Sequence, residues 1–235
     1  TSFLTLGVGY NLERIEISDV DEAASEEIRA EEGARIKSSG ELSLAFDTRD
    51  RLRLTTRGNY TRLSAELAGG PFGGDTQWYK LHLRTHQYVP VWRNHVLLLR
   101  GEVGVMDAIG GEDRVPLFDR FFLGGLYTIR AFRYRHVGPA DQSGEPIGGR
   151  SLAFASAEYT VPIYKMVRAA VFVDGGMVWE DPYTFDLKWN SGYGVGLRLD
   201  IPMLPLRIDY AWQIESEDFN RDRNGRFNIS FGYPF

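Results

Sequence analysis

Tyr193-Gly194-Val195-Gly196-Leu197-Arg198-Leu199-Asp200-Ile201 is the stretch that decides the fold. Its odd positions, Tyr193, Val195, Leu197, Leu199 and Ile201, are all apolar, whereas its even positions are Gly194, Gly196, Arg198 and Asp200. A period of two belongs to an extended strand with one apolar face. The rule continues downstream, where Leu204, Leu206, Ile208, Tyr210 and Trp212 alternate with Arg207, Asp209, Ala211 and Gln213. The last run sets Phe227, Ile229, Phe231, Tyr233 and Phe235 against Asn228, Ser230, Gly232 and Pro234.

Upstream, the same alternation links Leu4, Leu6, Val8, Tyr10 and Leu12, then Leu42, Leu44 and Phe46, then Tyr79, Leu81 and Leu83 opposite Trp78, Lys80, His82 and Arg84. Together these runs predict an all-β chain of about ten strands, near 2–17, 35–47, 51–68, 75–89, 94–107, 149–162, 166–178, 190–201, 204–215 and 226–235. Several gaps are far too short for a parallel crossover, so the strands are expected to be antiparallel neighbours.

The connections alternate in length. Those near Asp47–Asp50, Pro90–Asn94, Ile163–Lys165 and Pro202–Met203 are predicted to be tight, and those at 18–34, 69–74, 108–148, 179–189 and 216–225 mostly long. In an up-and-down meander every second connection emerges on the same rim, which gives one rim of turns and one of loops, as in outer-membrane barrels. The stretch 18–34, with Asp19, Asp21, Glu22, Glu26, Glu27, Glu31 and Glu32, is read as a solvated surface loop.

Composition is consistent with this. Among 235 residues, 43% are hydrophobic, 25% charged and 13% aromatic, yet no apolar run approaches the length of a membrane-crossing helix. Transmembrane strands leave no such run, so a membrane barrel stays open as a reading. The absence of cysteine removes disulfides, thiolate metal sites and thiol nucleophiles. A net charge of -5 with scattered Lys and Arg offers no footprint for nucleic acid. The first residues, Thr-Ser-Phe-Leu-Thr-Leu, contain neither a basic leader nor an apolar core.

Alternation does not say which face is outside. A soluble barrel turns its apolar face inward, and a membrane barrel inverts it. Three features favour inversion: the long strands, the apolar strand that ends on Phe235, and aromatics at strand ends (Trp78, Tyr88, Trp92, Tyr164, Trp179, Trp189, Tyr193, Trp212 and Phe235), which read as interfacial girdles.

No catalytic signature stands out, and no cofactor is implied. Gly-x-Ser-x-Gly, His-Glu-x-x-His and the phosphate-binding Gly-rich loop are absent. His82 and His86 are read as lumen residues, because four positions along a strand separate them by about 13 Å, too far to share one metal ion. His95 and His136 stand apart from them. The anomaly is 108–148, a loop several times longer than ordinary connections. It sets Phe118, Phe121, Phe122, Leu123, Leu126, Tyr127, Ile129, Phe132 and Tyr134 among Arg120, Arg130, Arg133 and Arg135. Such apolar content needs burial, and the barrel interior is the volume open to it. The loop is therefore expected to fold inward, with Glu158 and Asp174 the best-placed carboxylates for its arginines.

At these residues the chain resembles the outer-membrane protein insertase superfamily, which comprises BamA/TamA-like proteins and two-partner secretion transporters. Phe121-Phe122-Leu123-Gly124-Gly125-Leu126-Tyr127-Thr128-Ile129-Arg130-Ala131-Phe132 is similar to its signature loop. Ile129, Arg130, Ala131 and Phe132 fall on the tip motif, and Phe172, Asp174 and Gly176 on the Phe-x-Asp-x-Gly motif of the strand that receives it. Asp47-Thr48-Arg49-Asp50, Leu67-Ala68-Gly69-Gly70-Pro71 and the terminal Phe227–Phe235 are also similar to family stretches.

The resemblance implies an Arg130–Asp174 interaction with Glu158 nearby, and a seam and terminal assembly signal at Phe227, Ile229, Phe231, Gly232 and Phe235. It further implies a bacterial outer-membrane location, unfolded outer-membrane proteins as substrates, the lipid bilayer and periplasmic accessory lipoproteins as partners, and no bond chemistry. A secretion transporter of the same superfamily, a ten-stranded outer-membrane protease and a passive pore are the alternatives.

Two departures from the family pattern stand out. Ala131 occupies a Gly position, which implies a strained or differently bent tip if that backbone requires positive φ. The family barrel has sixteen strands behind periplasmic POTRA domains. The 1–235 segment therefore maps onto the last ten strands, with Thr1 expected to lie inside a longer polypeptide.

Overall fold

A computed structural model describes residues 3–21, 25–111, 114–186, 188–199, 201 and 205–231. Its strands are β1 (Leu4–Ile17), β2 (Gly33–Asp47), β3 (Gly58–Ala68), β4 (Trp78–Pro90), β5 (Val96–Ala108), β6 (Ser151–Tyr164), β7 (Val167–Trp179), β8 (Asn190–Leu199), β9 (Leu206–Glu215) and β10 (Arg226–Phe231). They form one sheet in chain order, and every neighbouring pair is antiparallel. Among the described residues β1 and β10 each pair on one side, so the sheet is open. Asp200, the Pro202–Met203 turn, Leu204, Gly232, Tyr233, Pro234 and Phe235, together with Glu22 of the acidic stretch, lie outside the described residues.

Burial settles the orientation of the faces. Leu42, Leu63, Leu81, Val103, Val171, Val195 and Leu197 are exposed, whereas Ser39, His86, Glu158, Asp174, Arg198 and Asp209 are buried. An apolar exposed face backed by a charged interior is unfavourable in water and matches a lipid-facing barrel wall. Phe227, Ile229 and Phe231 of β10 lie on this outward face. Strands β1 to β9, of ten to fifteen residues, are long enough to cross a membrane when tilted.

The structure corrects four details. The strand expected to start near residue 51 starts at Gly58, so the β2–β3 connection is a ten-residue loop instead of a tight turn. Asp50 closes it: its carboxylate accepts from the Thr56 N–H (2.9 Å), the Thr56 hydroxyl (2.6 Å) and the Arg57 N–H (3.3 Å), and its own N–H donates to the Arg57 carbonyl. Second, Trp78 and Tyr88 share the inward parity of Lys80 and His86, and Trp179 is also buried, so none of the three belongs to a girdle. Trp92, Tyr164 and Trp189 remain exposed near strand ends, and Tyr193 stacks on Trp212 at 5.5 Å.

Third, the acidic stretch is not wholly solvated. It contains a helical turn, Glu26–Arg29, capped by Ser25, and Glu31 is buried, pairing with Arg35 at 2.9 Å. Fourth, Ala131 does not have positive φ, and the loop tip carries no left-handed strain at that residue. Its methyl lies over Gly192, where an added Cβ would collide with it.

Candidate functional site: the seat of the long loop

Within the β5–β6 connection, 109–150, the described residues make short pairings of their own, Phe121 with Gly149, Leu123 with Val137 and Ala140 with Pro146. Gly124 and Gly125 adopt φ of 101° and 94°, and at Gly124 a side chain would strike the Arg133 carbonyl. Glycine thus lets two arms of the loop cross at contact distance. The crossing carries Ile129, Ala131 and Phe132 onto the inward face of the sheet, where they are buried with Phe154, Phe172 and Ala211.

Arg130 sits at the centre and has 0% exposure. Its Nε and Nη2 donate to the two Asp174 oxygens, each at 2.8 Å, and its backbone N–H donates to Asp174 Oδ2 at 3.2 Å. Nη1 donates to Glu158 Oε2 at 2.5 Å. The guanidinium carbon lies 3.3 Å from the centre of the Phe172 ring, a cation–π stack. Burial alone would lower the Arg130 pKa, but the Asp174, Glu158 and Asp209 carboxylates outweigh it and raise the value.

Each residue of the receiving motif thus has a physical task. Phe172 supplies the ring face and Asp174 the fork. Gly176 lies against the Ala153 carbonyl, which an added Cβ would strike, and packs closely under Leu123. Gly194, opposite Phe172 on β8, leaves space for the ring itself.

The site is larger than the motifs. Arg198 Nε and Nη2 donate to both Glu158 oxygens at 3.0 and 2.8 Å, and its Nη1 donates to Asp209 at 2.6 Å. Arg207 donates to Glu158 at 3.3 Å. Arg100 donates to the Tyr127 carbonyl at 2.8 Å and to Ser156 at 3.1 Å. Asn228 of β10 donates to the Arg130 carbonyl at 3.1 Å, which ties the loop tip to the last strand.

Sequence reasoning placed Arg198, Arg207, Asp209 and Asn228 on the polar face without singling them out. For the three charged residues the available signal was a charge on an inward-facing strand position, which calls for a partner once buried. Beside the seat the lumen holds a cavity of about 890 Å³, lined by Lys80, His82, Arg84, His86, Arg100 and Glu102 among others.

This arrangement holds a segment in place. No three His, Asp or Glu side chains converge on a metal-sized position among the described residues. The His136 ring meets the Tyr134 carbonyl, not a carboxylate.

An open antiparallel meander with an apolar outside, a charged inside and a long loop seated on its inner wall defines a class: the wall of an outer-membrane β-barrel. Comparison with known proteins is specific. The Omp85 superfamily domain matches residues 1–235. The chain is 31% identical to the outer membrane protein assembly factor BamA of Nitratidesulfovibrio vulgaris over 99% of its length and 30% of that protein. It is also 31% identical to a SAM50-like protein of Schizosaccharomyces pombe, over 68% of this chain and 34% of that one. The crystal structure of BamA from Haemophilus ducreyi lacking POTRA domains 1-3 superposes with a TM-score of 0.77, covering 97% of this chain and 51% of that chain at 19% identity, a likeness of fold.

The chain belongs to the Omp85 superfamily. Its place is the bacterial outer membrane, and it spans about a third of the length of these curated relatives.

Proposed function

We propose that this chain serves the assembly and insertion of outer-membrane β-barrel proteins, making and breaking no covalent bond. The observation that carries this reading is the match over 99% of the chain to a protein named for that activity. The substrates are unfolded outer-membrane proteins; the lipid bilayer and periplasmic accessory lipoproteins are the partners.

The physical logic concerns strand edges. In hydrocarbon an unpaired backbone N–H or C=O costs several kcal/mol, so an edge exposed to lipid favours a strand that can satisfy it. An incoming substrate strand does so by β-augmentation. In this reading β10, with Phe227, Ile229 and Phe231 toward lipid, borders the seam at which augmentation starts. Ile129, Arg130, Ala131 and Phe132 form a lock on Glu158, Phe172, Asp174 and Gly176. The lock keeps the long loop inside the barrel while the seam opens, and the Asn228 bond to the Arg130 carbonyl couples loop and seam.

The test is reconstitution into phospholipid vesicles, followed by addition of a urea-unfolded outer-membrane β-barrel. Faster acquisition of protease-resistant substrate than in empty vesicles is expected. Equal rates, or cleavage of the substrate, would overturn the proposal.

A further inference from the structure

The stem of the long loop carries a second buried polar cluster, away from Arg130. Asp119 is 6% exposed. Lys37 of β2 donates to its Oδ1 at 2.7 Å, and Trp78 of β4 donates through Nε1 to its Oδ2 at 3.0 Å. Lys80 of β4 donates to the Asp119 backbone carbonyl at 2.8 Å. The ammonium groups also stack, Lys37 at 4.9 Å from the Trp78 ring and Lys80 at 4.5 Å from the Phe121 ring. Two residues earlier, the Leu117 N–H donates to Glu31 at 3.3 Å, which joins the stem to the acidic β1–β2 loop.

These contacts share no residue with the Arg130 seat. The stem is held by β2 and β4, which β3 separates, and the tip by side chains of β6, β7, β9 and β10. A buried carboxylate filled on both oxygens by strand side chains has a defined position. Losing a donor leaves it desolvated and underpaired.

We propose that Asp119 is a second docking residue, which makes the loop a brace with two separately held ends: the stem on Lys37, Trp78 and Lys80, and the tip on Asp174 and Glu158. The two ends hold different parts of the loop, because the Gly124-Gly125 crossing separates Asp119 from Arg130. The brace reaches from β2 to β10. This extends the reading of the loop as a lock and does not depend on insertion activity.

Hydrogen exchange read by mass spectrometry on the protein in detergent micelles tests it. In Asp119→Asn, peptides covering 115–121 should exchange about tenfold faster while 128–132 stays near the wild-type rate, as expected for losing one charge-assisted bond at a local seat. Trp78→Phe keeps the ring under Lys37 and removes only the N–H donor, so it should produce a smaller change in the same peptides. Arg130→Lys should loosen 128–132 and spare 115–121.

Wild-type exchange at 115–121 in Asp119→Asn would overturn the proposal. Equal loosening of both segments by Asp119→Asn and by Arg130→Lys would also overturn it, because the loop would then have one seat. If Asp119→Asn does not fold, Trp78→Phe decides on the same criteria. The readout is loop protection, so a failed vesicle assay strikes the proposed function and leaves this result standing.

Discussion

Arg130 is gripped edgewise by Asp174 and facewise by Phe172, with two 2.8 Å bonds to the carboxylate and 3.3 Å from guanidinium carbon to ring centre. This geometry requires a planar fork. Arg130→Lys preserves the charge but loses the bidentate bond and most of the stack, so it should weaken the seat by about 2–3 kcal/mol. Phe172→Leu, which removes only the ring face, should cost about 1 kcal/mol. Exchange protection of residues 128–132 measures both, and equal effects would refute the division of labour.

Glu158 is the hub, with Arg130, Arg198 and Arg207 all on its carboxylate. Glu158→Gln retains the shape and removes the charge that three buried guanidinium groups share. A loss of about 3–5 kcal/mol is expected, as for one partner removed from a buried pair. The rim pair Arg150–Asp107, at 2.7 Å but partly exposed, is the comparison, and Asp107→Asn should cost no more than about 1 kcal/mol. Denaturation midpoints of the two variants in micelles should separate clearly.

Gly104 lies under the Phe121 ring, and the three atoms nearest to an added Cβ all belong to that ring. Gly104→Ala should therefore destabilise loop docking by about 1–3 kcal/mol, the usual penalty of overpacking. The double variant Gly104→Ala with Phe121→Leu should recover part of the loss. A strictly additive double mutant would show that the ring contact is not the cause.

The Asp50 carboxylate is held below the usual carboxylate range. Burial alone would raise it, but the bonds from Thr56 and Arg57 outweigh burial. A depressed folded value contributes stability above the unfolded pKa, and that stability is lost as pH falls through the folded one. Protection of the Thr56 and Arg57 amides, taken relative to the intrinsic exchange rate at each pH, should therefore fall below about pH 4, the unfolded carboxylate range. Asp50→Asn should remove that pH dependence while leaving β7 unaffected.

The period-two alternation made the ten strands and their order legible, because each strand has one lipid face and one lumen face. It misled where alternation was incidental. Arg51-Leu52-Arg53-Leu54 alternates as a strand does, yet Asp50 folds those residues into a capped loop. The aromatic girdle was overcounted for a different reason. Position along a strand suggests an interface, but parity decides, and Trp78 has the parity of Lys80 and His82.

In the seat, sequence pointed to Arg130, Asp174 and Glu158, and the structure brings these three into contact. Arg198, Arg207 and Asp209 were visible only as charges on the inward face. The meeting of Arg198 and Arg207 at Glu158, and of Arg198 with Asp209, depends on the stagger of β6, β8 and β9, which no local spacing encodes. Asp119 was hidden likewise, since its partners Lys37 and Trp78 are 82 and 41 residues away along the chain.

The most direct test of the central claim is the vesicle folding assay performed with wild type, Arg130→Ala and Asp174→Ala, each first shown to be inserted and folded. Both variants should assemble an unfolded outer-membrane β-barrel substrate far more slowly than wild type, because each leaves a buried partner charge uncompensated and frees the loop. Wild-type assembly rates in both variants would contradict it.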